Sequence, residues 1–159
     1  MLNACTFSPC RQYRYTLWHE WSSGRGYCQF VGLNPSTADE QQLDPTVRRC
    51  VQYAKDWGYR ALCMTNIFAY RATDPRDMKA QADPVGPDND RWLMSVSQDA
   101  GIVIAAWGTH GTHLNRAREV FRLLPRLHAL KVTKHGHPSH PLYLRRDARP
   151  VLYSPLEAA

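Results

Sequence analysis

The sequence of 159 residues has no long apolar run, no CxxC pair and no internal repeat. A membrane-spanning helix needs about 20 consecutive apolar residues. A signal peptide needs a basic start followed by an apolar stretch, and the first residues, MLNACTFSPC, have neither. We therefore expect a cytoplasmic, monomeric protein with no membrane partner, folded as a single domain over residues 1–159.

The cysteines and histidines give little indication of a metal or cofactor. Five cysteines form an odd set without paired spacing, which predicts reduced and mostly buried thiols, although Cys5 and Cys10 leave an iron–sulfur cluster open. His135, His137 and His140 lie close in sequence and would suit zinc. A zinc site should show a tighter pair of ligands, and the prolines of HPSHP stiffen this segment. We therefore predict no metal and no cofactor.

The charge of the chain is unbalanced towards basic residues. Lysine and arginine number 20 against 14 aspartates and glutamates, for a net charge of +6. An excess of positive charge favours anionic partners, and nucleic acid is the usual one for a basic domain. Charge alone is a weak signal, because many basic proteins bind no nucleic acid.

The first half of the chain predicts two strands and one helix. Residues 13–21 alternate between apolar and polar positions, a turn is predicted at 22–26, and residues 27–33 form a second apolar run. This pattern predicts an N-terminal hairpin. Asp44 then begins a helix as its N-cap, with proline at the first turn, and Gly58 ends it.

The second half of the chain alternates short apolar segments with amphipathic ones. Residues 61–67, 102–107 and 129–133 are typical of buried parallel strands, and residues 87–98 and 114–124 are typical of helices. We predict an α/β fold, a three-layer αβα sandwich around a mostly parallel sheet of four to five strands.

Polar residues collect where the predicted strands end. Asn34 follows one strand, Asn66 closes the next, residues 108–110 follow the third and residues 135–141 follow the fourth. In parallel α/β sheets, ligands bind outside the carboxyl ends of the strands. These segments therefore predict one binding site at a single edge of the sheet.

Four motifs in this order resemble the signature of the uracil-DNA glycosylase superfamily: GLNPS at 32–36, MTN at 64–66, AAWGTH at 105–110 and HPS at 137–139. The resemblance implies a uracil-DNA glycosylase-like fold and a monofunctional DNA glycosylase. Such an enzyme flips a damaged or modified base out of DNA and hydrolyses its N-glycosidic bond, in base excision repair or in defence against modified foreign DNA.

The whole chain is also similar to the domain-of-unknown-function 1643 family of bacteria and phages. The blocks that carry this similarity are NPSTAD, DPT-RRC, N-FAYRATDP and HP-HPLYL. This second resemblance implies no function.

The glycosylase resemblance assigns roles residue by residue. Asn34 would hold the attacking water, although it could equally shape an Asn-Pro turn, and His137 would donate to the departing base. The implied base-binding residues are Gly32, Leu33, Pro35, Ser36, Asn66, Phe68 and Tyr70. The implied DNA-binding residues are Gly108, Thr109, His110, Ser139, His140 and Leu142. These roles require Asn34, Asn66 and His137 to face one pocket.

Some positions depart from the glycosylase pattern. Ser36 stands where uracil-specific members carry a tyrosine, so the resemblance implies a roomier pocket for a modified base. Phe68 and Tyr70 would either stack on the base or pack in the core, and Leu142 would either wedge into DNA or be buried. Two other functions stay open, a hydrolase of free nucleosides or nucleotides and a non-catalytic domain that binds a modified base in DNA.

Overall fold

The protein, described by a computed structural model over residues 2–21, 24–39, 41–124 and 126–155, is built on a seven-stranded sheet. Its strands are β1 (Leu2–Phe7), β2 (Arg14–Glu20), β3 (Tyr27–Gly32), β4 (Ala61–Asn66), β5 (Ile102–Ala105), β6 (Leu127–Ala129) and β7 (Val151–Leu152). The order across the sheet is β1-β2-β4-β3-β5-β6-β7, and the four central strands are parallel. The predicted α/β class with a mostly parallel centre is therefore confirmed, with more strands than expected.

Four α-helices connect the strands in the described part of the chain. They are α1 (Pro45–Asp56), α2 (Pro75–Lys79), α3 (Asn89–Asp99) and α4 (Arg116–Leu123), and a 3₁₀ helix (Thr109–Asn115) precedes α4. The predicted start of α1 is confirmed, because the Asp44 side chain accepts a hydrogen bond of 2.9 Å from the Val47 amide. The predicted helix at 114–124 begins later, because Leu114 has φ +54° and is 60% exposed.

The predicted hairpin between residues 13–21 and 27–33 is wrong. β4 lies between β2 and β3, so β2 pairs antiparallel with β1 on one side and with β4 on the other. β3 is buried over most of its length and pairs in parallel with β4 and β5, which places it at the centre of the sheet. Residues 22 and 23 of the predicted turn lie outside the described residues.

The predicted strand at 129–133 is also misplaced. β6 ends at Ala129, and the segment beyond it turns towards the loop at 136–139. The Lys131 carbonyl accepts a hydrogen bond of 2.8 Å from the Ser139 amide, and Val132 forms an isolated bridge with Pro138. Lys131 and Val132 therefore pair with the loop at 136–139 and not with β5. The parallel pairing of β5 and β6 ends at Ala129.

Alternate residues of β3 belong to two apolar clusters. Cys28 and Phe30 pack in the cluster that contains α1, whereas Val31 packs in the cluster that contains residues of α3 and α4. Gln29, also buried, donates to the Thr65 hydroxyl at 3.1 Å. Residues of α1 therefore pack with one set of β3 side chains, and residues of α3 and α4 pack with the other.

Two further observations concern membranes and thiols. Within the residues described, no helix is long and apolar enough to cross a membrane. Cys28, Cys50 and Cys63 are buried, and burial raises the pKa of each thiol. No group of three His, Cys, Asp or Glu side chains in the described ranges is placed to hold a metal ion.

Candidate functional site

A cavity of about 740 Å³ opens at the carboxyl ends of β3, β4 and β5 and the loop after β6. The structure brings most of the predicted site residues to this cavity. Those that line it are Gly32, Leu33, Asn34, Pro35, Ser36, Asn66, Gly108, Thr109, His110, Ser139, His140 and Leu142. The predicted residues absent from the lining are His137, Phe68 and Tyr70.

Main-chain hydrogen bonds join the loops that follow β3 and β4. The Ile67 amide donates to the Gly32 carbonyl at 2.9 Å, and the Ala72 amide donates to the Pro35 carbonyl at 2.9 Å. These bonds continue the parallel pairing of the two strands beyond their ends. The two asparagines are therefore held on one wall of the cavity by backbone geometry.

The loops that follow β5 and β6 are joined in the same way. The Gly108 amide donates to the Pro138 carbonyl at 2.8 Å, and the Ser139 amide donates to the Lys131 carbonyl at 2.8 Å. Gly108 has φ +68°, a conformation that glycine adopts without strain. Residues of both loops line the cavity.

The hydrogen bonds of Asn34 fix the orientation of its amide. Its Nδ2 donates to the Ala72 carbonyl at 2.8 Å and to the Pro35 carbonyl at 3.2 Å. A carbonyl can only accept, so the nitrogen must lie on that side and Oδ1 on the other. No hydrogen bond from a described residue reaches Oδ1. This oxygen can therefore accept a hydrogen bond from a water or a ligand in the cavity.

Asn66 is buried with an unsatisfied amide. Its side chain lines the cavity, the residue is 4% exposed, and Nδ2 has no hydrogen-bond partner in the described structure. Its main-chain carbonyl accepts a hydrogen bond of 2.8 Å from Asn89, which fixes the end of β4. An unpaired buried donor costs about 1–3 kcal/mol. A ligand with an acceptor atom would remove this cost.

Gly32 is the neighbour that leaves room for the Asn66 side chain. A Cβ at position 32 would lie 2.8 Å from Asn66 Oδ1, so Gly32→Ala is expected to displace that amide. We predict that Gly32→Ala lowers ligand affinity or turnover about tenfold. This is the effect of losing one good hydrogen bond to a substrate. Titrations of Gly32→Ala, Asn66→Ala and the double variant test this. An additive loss in the double variant would show that Gly32 does not act through Asn66.

His137, predicted to donate to the departing base, is absent from the lining of the cavity, and its role stays a prediction. Its amide donates to the Thr133 hydroxyl at 3.1 Å and its carbonyl accepts from the Thr133 amide at 2.8 Å. Gly136, with φ +83°, completes this tight turn. The turn places Thr133 in the lining instead of His137. The requirement that Asn34, Asn66 and His137 share one pocket is thus met only by the two asparagines.

Phe68 and Tyr70 pack in the core and not against the cavity. Phe68 is completely buried, and Tyr70 makes an edge contact with Tyr13 at 5.9 Å between ring centroids. Trp107 is the buried aromatic residue that lines the cavity. Its ring is therefore better placed than Phe68 or Tyr70 to contact a planar ligand.

Two other histidines of the loops, His110 and His140, line the cavity. His110 Nδ1 lies 2.8 Å from the Lys79 ammonium, which can only donate, and His140 Nδ1 accepts from the Leu142 amide at 3.2 Å. Burial lowers the pKa of both imidazoles, and the charge of Lys79 lowers that of His110 further. Both rings are therefore neutral near pH 7, with Nε2 carrying the proton that can be donated.

Sequence reasoning missed two charged residues of the cavity. Arg14 lines it and is 2% exposed, although its position on the polar side of an alternating strand predicts a solvated side chain. Asp44 also lines it, in addition to capping α1, and is the sole carboxylate among the described lining residues. No motif in the sequence marks Arg14, because it is held by contacts with residues distant in sequence, the carbonyls of Ala38 and Ala69.

A groove with basic walls adjoins the cavity. Arg48, Arg49 and Arg146 line it, and Pro45 and Leu142 border both the groove and the cavity. Arg48 and Arg146 are exposed. The groove thus offers positive charge beside the cavity entrance.

Tyr143 lies between Leu142 and Leu144, which both line the cavity and whose main chains are hydrogen-bonded. Its side chain is 98% exposed and its φ is +71°, a conformation that costs a non-glycine residue about 1–2 kcal/mol. On one side the Leu142 amide donates to His140, and on the other the Leu144 carbonyl accepts from Arg49. The loop therefore holds an aromatic ring in solvent beside the basic groove.

Comparisons with known proteins place the chain in a family. Neither the comparison with curated proteins nor the comparison with solved structures gave a match. The model of the family described as "Protein of unknown function (DUF1643)" matches residues 14–142, which is most of the chain, and the protein therefore belongs to this family.

Proposed function

We propose that the protein is a monofunctional DNA glycosylase of the uracil-DNA glycosylase type, which hydrolyses the N-glycosidic bond of a damaged or modified base in repair or in defence. The observation that carries this proposal is the pair of asparagines in one cavity. Asn34 offers an acceptor oxygen, and Asn66 offers a buried and unpaired donor. The cavity volume of about 740 Å³ is typical of ligand pockets.

The proposed reaction needs a positioned water and a stabilised leaving base. Asn34 Oδ1 accepts a hydrogen bond from the water, whose oxygen attacks C1′ of the sugar as the bond to the base breaks. The bonding electron pair leaves with the base, and Asn66 Nδ2 and His140 Nε2 donate to its acceptor atoms. An amide cannot accept the proton of the water, so Asp44 is the group proposed to receive it.

A Schiff base with the sugar is not expected from this cavity. Lysine is absent from its lining in the described residues. A lysine or another amine would be required to form the imine that leads to strand cleavage. The expected product is therefore an abasic site in an intact strand.

The groove and Tyr143 support DNA as the partner. Arg48, Arg49 and Arg146 would neutralise phosphates beside the cavity, and such contacts make affinity fall with salt. An exposed aromatic ring held at the rim suits stacking on a base next to the flipped one. Leu142, the wedge that the sequence implied, is half-buried in the cavity lining.

Replacement of Tyr143 tests the contribution of this ring to DNA binding. We expect Tyr143→Ala to weaken DNA binding about tenfold, within the 1–3 kcal/mol of base–aromatic stacking, with an unchanged salt slope. Tyr143→Phe keeps the ring and should bind like the original protein. Tyr143→Gly should bind weakly yet unfold at higher temperature, because glycine relieves the strained φ. Fluorescence anisotropy and thermal unfolding measure these effects, and equal affinity for all variants would contradict the assignment.

The proposed activity is tested with a panel of substrates. Oligonucleotides that carry uracil, hypoxanthine, hydroxymethyluracil or a phage-type modified base are incubated with the protein and then cleaved with alkali at abasic sites. At least one substrate should yield alkali-labile sites, and none should break without alkali. The proposal fails if no abasic site forms in any of them or in modified phage DNA.

A second candidate is a hydrolase of free nucleotides. The observation that favours it is Arg14, a buried cation that a compact phosphate could reach inside the cavity. Such an enzyme needs neither Tyr143 nor the groove of Arg48 and Arg146. Release of a base from a free nucleotide, together with no retardation of DNA in a gel, would favour this candidate.

A further inference from the structure

Arg14 is a buried cation without a direct ion-pair partner in the part of the chain that the structure describes. The residue is 2% exposed, and among the described residues no carboxylate oxygen lies within 4.0 Å of its guanidinium. Burial lowers its pKa, yet arginine stays charged in proteins. Buried charges are normally paired, because removing an ion from water costs several kcal/mol. The charge of Asp44 raises the pKa of Arg14 from beyond ion-pair distance, so the guanidinium has no direct negative partner within the described ranges.

The hydrogen bonds of Arg14 leave two nitrogens of its guanidinium unpaired in the described structure. Nη1 donates to the Ala38 carbonyl at 2.8 Å, and the main-chain amide donates to the Ala69 carbonyl at 3.0 Å. Nε has no partner, and no described residue accepts a hydrogen bond from Nη2. Nε and Nη2 form the side-on fork that binds a carboxylate or a phosphate with two parallel hydrogen bonds.

The rest of the cavity wall agrees with an anionic ligand. Asn66 Nδ2 is a second buried donor without a partner, and it lines the same cavity. His110 and His140 are neutral donors at their Nε2 atoms. Asp44 is the negatively charged side chain of the lining, and its Oδ1 accepts a hydrogen bond from the Val47 amide. Arg14 Nε and Asn66 Nδ2 are thus two buried donors without partners among the described residues that line the cavity.

We propose that Arg14 and Asn66 form an oxyanion site inside the cavity, so that its preferred ligand carries a negatively charged oxygen group. The group is either an acidic substituent on a base, such as a carboxylate, or the phosphate of a nucleotide. The assignment of an acidic modified base as the substrate rests on the proposed glycosylase function. The oxyanion site itself rests only on the geometry of Arg14 and Asn66.

The test compares charged and neutral probes on the full chain. Uracil, 5-carboxyuracil, inorganic phosphate and thymidine 5′-monophosphate are titrated calorimetrically into the original protein. We expect 5-carboxyuracil to bind at least about tenfold more tightly than uracil, as a bidentate charge-assisted contact allows. Tighter binding of the nucleotide and of phosphate than of 5-carboxyuracil would identify phosphate as the anion. Equal affinity for uracil and 5-carboxyuracil, without phosphate binding, overturns the proposal.

Variants of Arg14 identify the residue responsible. Arg14→Gln should remove the preference for charged probes to within about twofold, and Arg14→Lys should keep part of it, since lysine offers a charge without the fork. Arg118→Gln is the matched control, because Arg118 is an exposed arginine of α4 away from the cavity. An unchanged preference in folded Arg14→Gln, as judged by circular dichroism, overturns the proposal.

The two proposals fail in distinguishable ways. Binding of 5-carboxyuracil that depends on Arg14, without base release from any DNA, would keep the oxyanion site and refute the glycosylase. Base release without any preference for charged probes would refute the oxyanion site and keep the glycosylase.

Discussion

Replacement of Asn34 with alanine is expected to lower kcat/KM for base release by about 100-fold, the range for loss of a group that positions the reacting molecules. The substitution removes Oδ1, the proposed contact with the water, and also the 2.8 Å bond from Nδ2 to the Ala72 carbonyl. Binding of DNA should change little, because the groove and Tyr143 are untouched. Single-turnover kinetics on the substrate found by the panel measure the rate.

Two further variants separate the roles of the Asn34 amide. Asn34→Asp keeps an acceptor for the water but loses the donor to Ala72, so its rate should lie between those of the original protein and Asn34→Ala. Gln41→Ala removes an exposed amide outside the cavity lining and should leave the rate unchanged. A rate in Asn34→Ala within a few-fold of the original would show that Asn34 only shapes the turn.

Replacement of Arg116 with alanine is expected to lower the free energy of unfolding by about 1–3 kcal/mol, the range for losing a buried side chain with its charge-assisted hydrogen bonds. Arg116 is 2% exposed at the start of α4. Its Nε donates to the Ile67 carbonyl at 2.8 Å, and its Nη2 lies 2.5 Å from an Asp90 carboxylate oxygen. Without Arg116, the Ile67 carbonyl and the loop after Asn66 lose a buried donor.

Urea denaturation of Arg116→Ala measures this effect. Arg118→Ala, an exposed position two residues along the same helix, should change the free energy of unfolding by less than about 0.5 kcal/mol. Glu119→Gln should also have a small effect, because Glu119 is half-exposed and 3.7 Å from the guanidinium. If Arg116→Ala lowers the free energy of unfolding by less than about 1 kcal/mol, other groups must replace the contacts of Arg116.

The parts of the fold that were predictable depend on local sequence. The start of α1 follows from Asp44, which caps the helix, and from Pro45, whose fixed φ suits the first turn. The unbroken apolar runs of β4 and β5 indicated parallel strands, and these lie at the centre of the sheet. The helix start and these strands depend on residues close in sequence, so they can be predicted from the sequence alone.

The pairing of the strands was not predictable from local signals. Two neighbouring segments with a turn between them predicted a hairpin, but β4 inserts between β2 and β3. The choice depends on which strands can be buried on both faces, and that depends on helices distant in sequence. The end of β6 was misplaced for a similar reason, because the loop at 136–139 competes for the backbone of residues 131–133.

The candidate site was predictable in its location and less so in its members. Asn34 follows β3 by two residues and Asn66 is the last residue of β4, and the ends of parallel strands converge at one edge of the sheet. The position of His137 depends on a tight turn with Thr133, which the motif HPS does not reveal. Arg14 lies in a different part of the chain from every motif, and its tertiary hydrogen bonds to the carbonyls of Ala38 and Ala69 hold it at the cavity.

Detection of the free base distinguishes hydrolysis of the N-glycosidic bond from binding alone. DNA that contains the modified base is incubated with the original protein and with Asn34→Ala, and the filtrate is examined by mass spectrometry. The proposed function predicts a free base, released in equal amount to abasic sites, with the rate reduced about 100-fold in Asn34→Ala. Tight binding of the modified DNA by both proteins, with no free base from either, would contradict it.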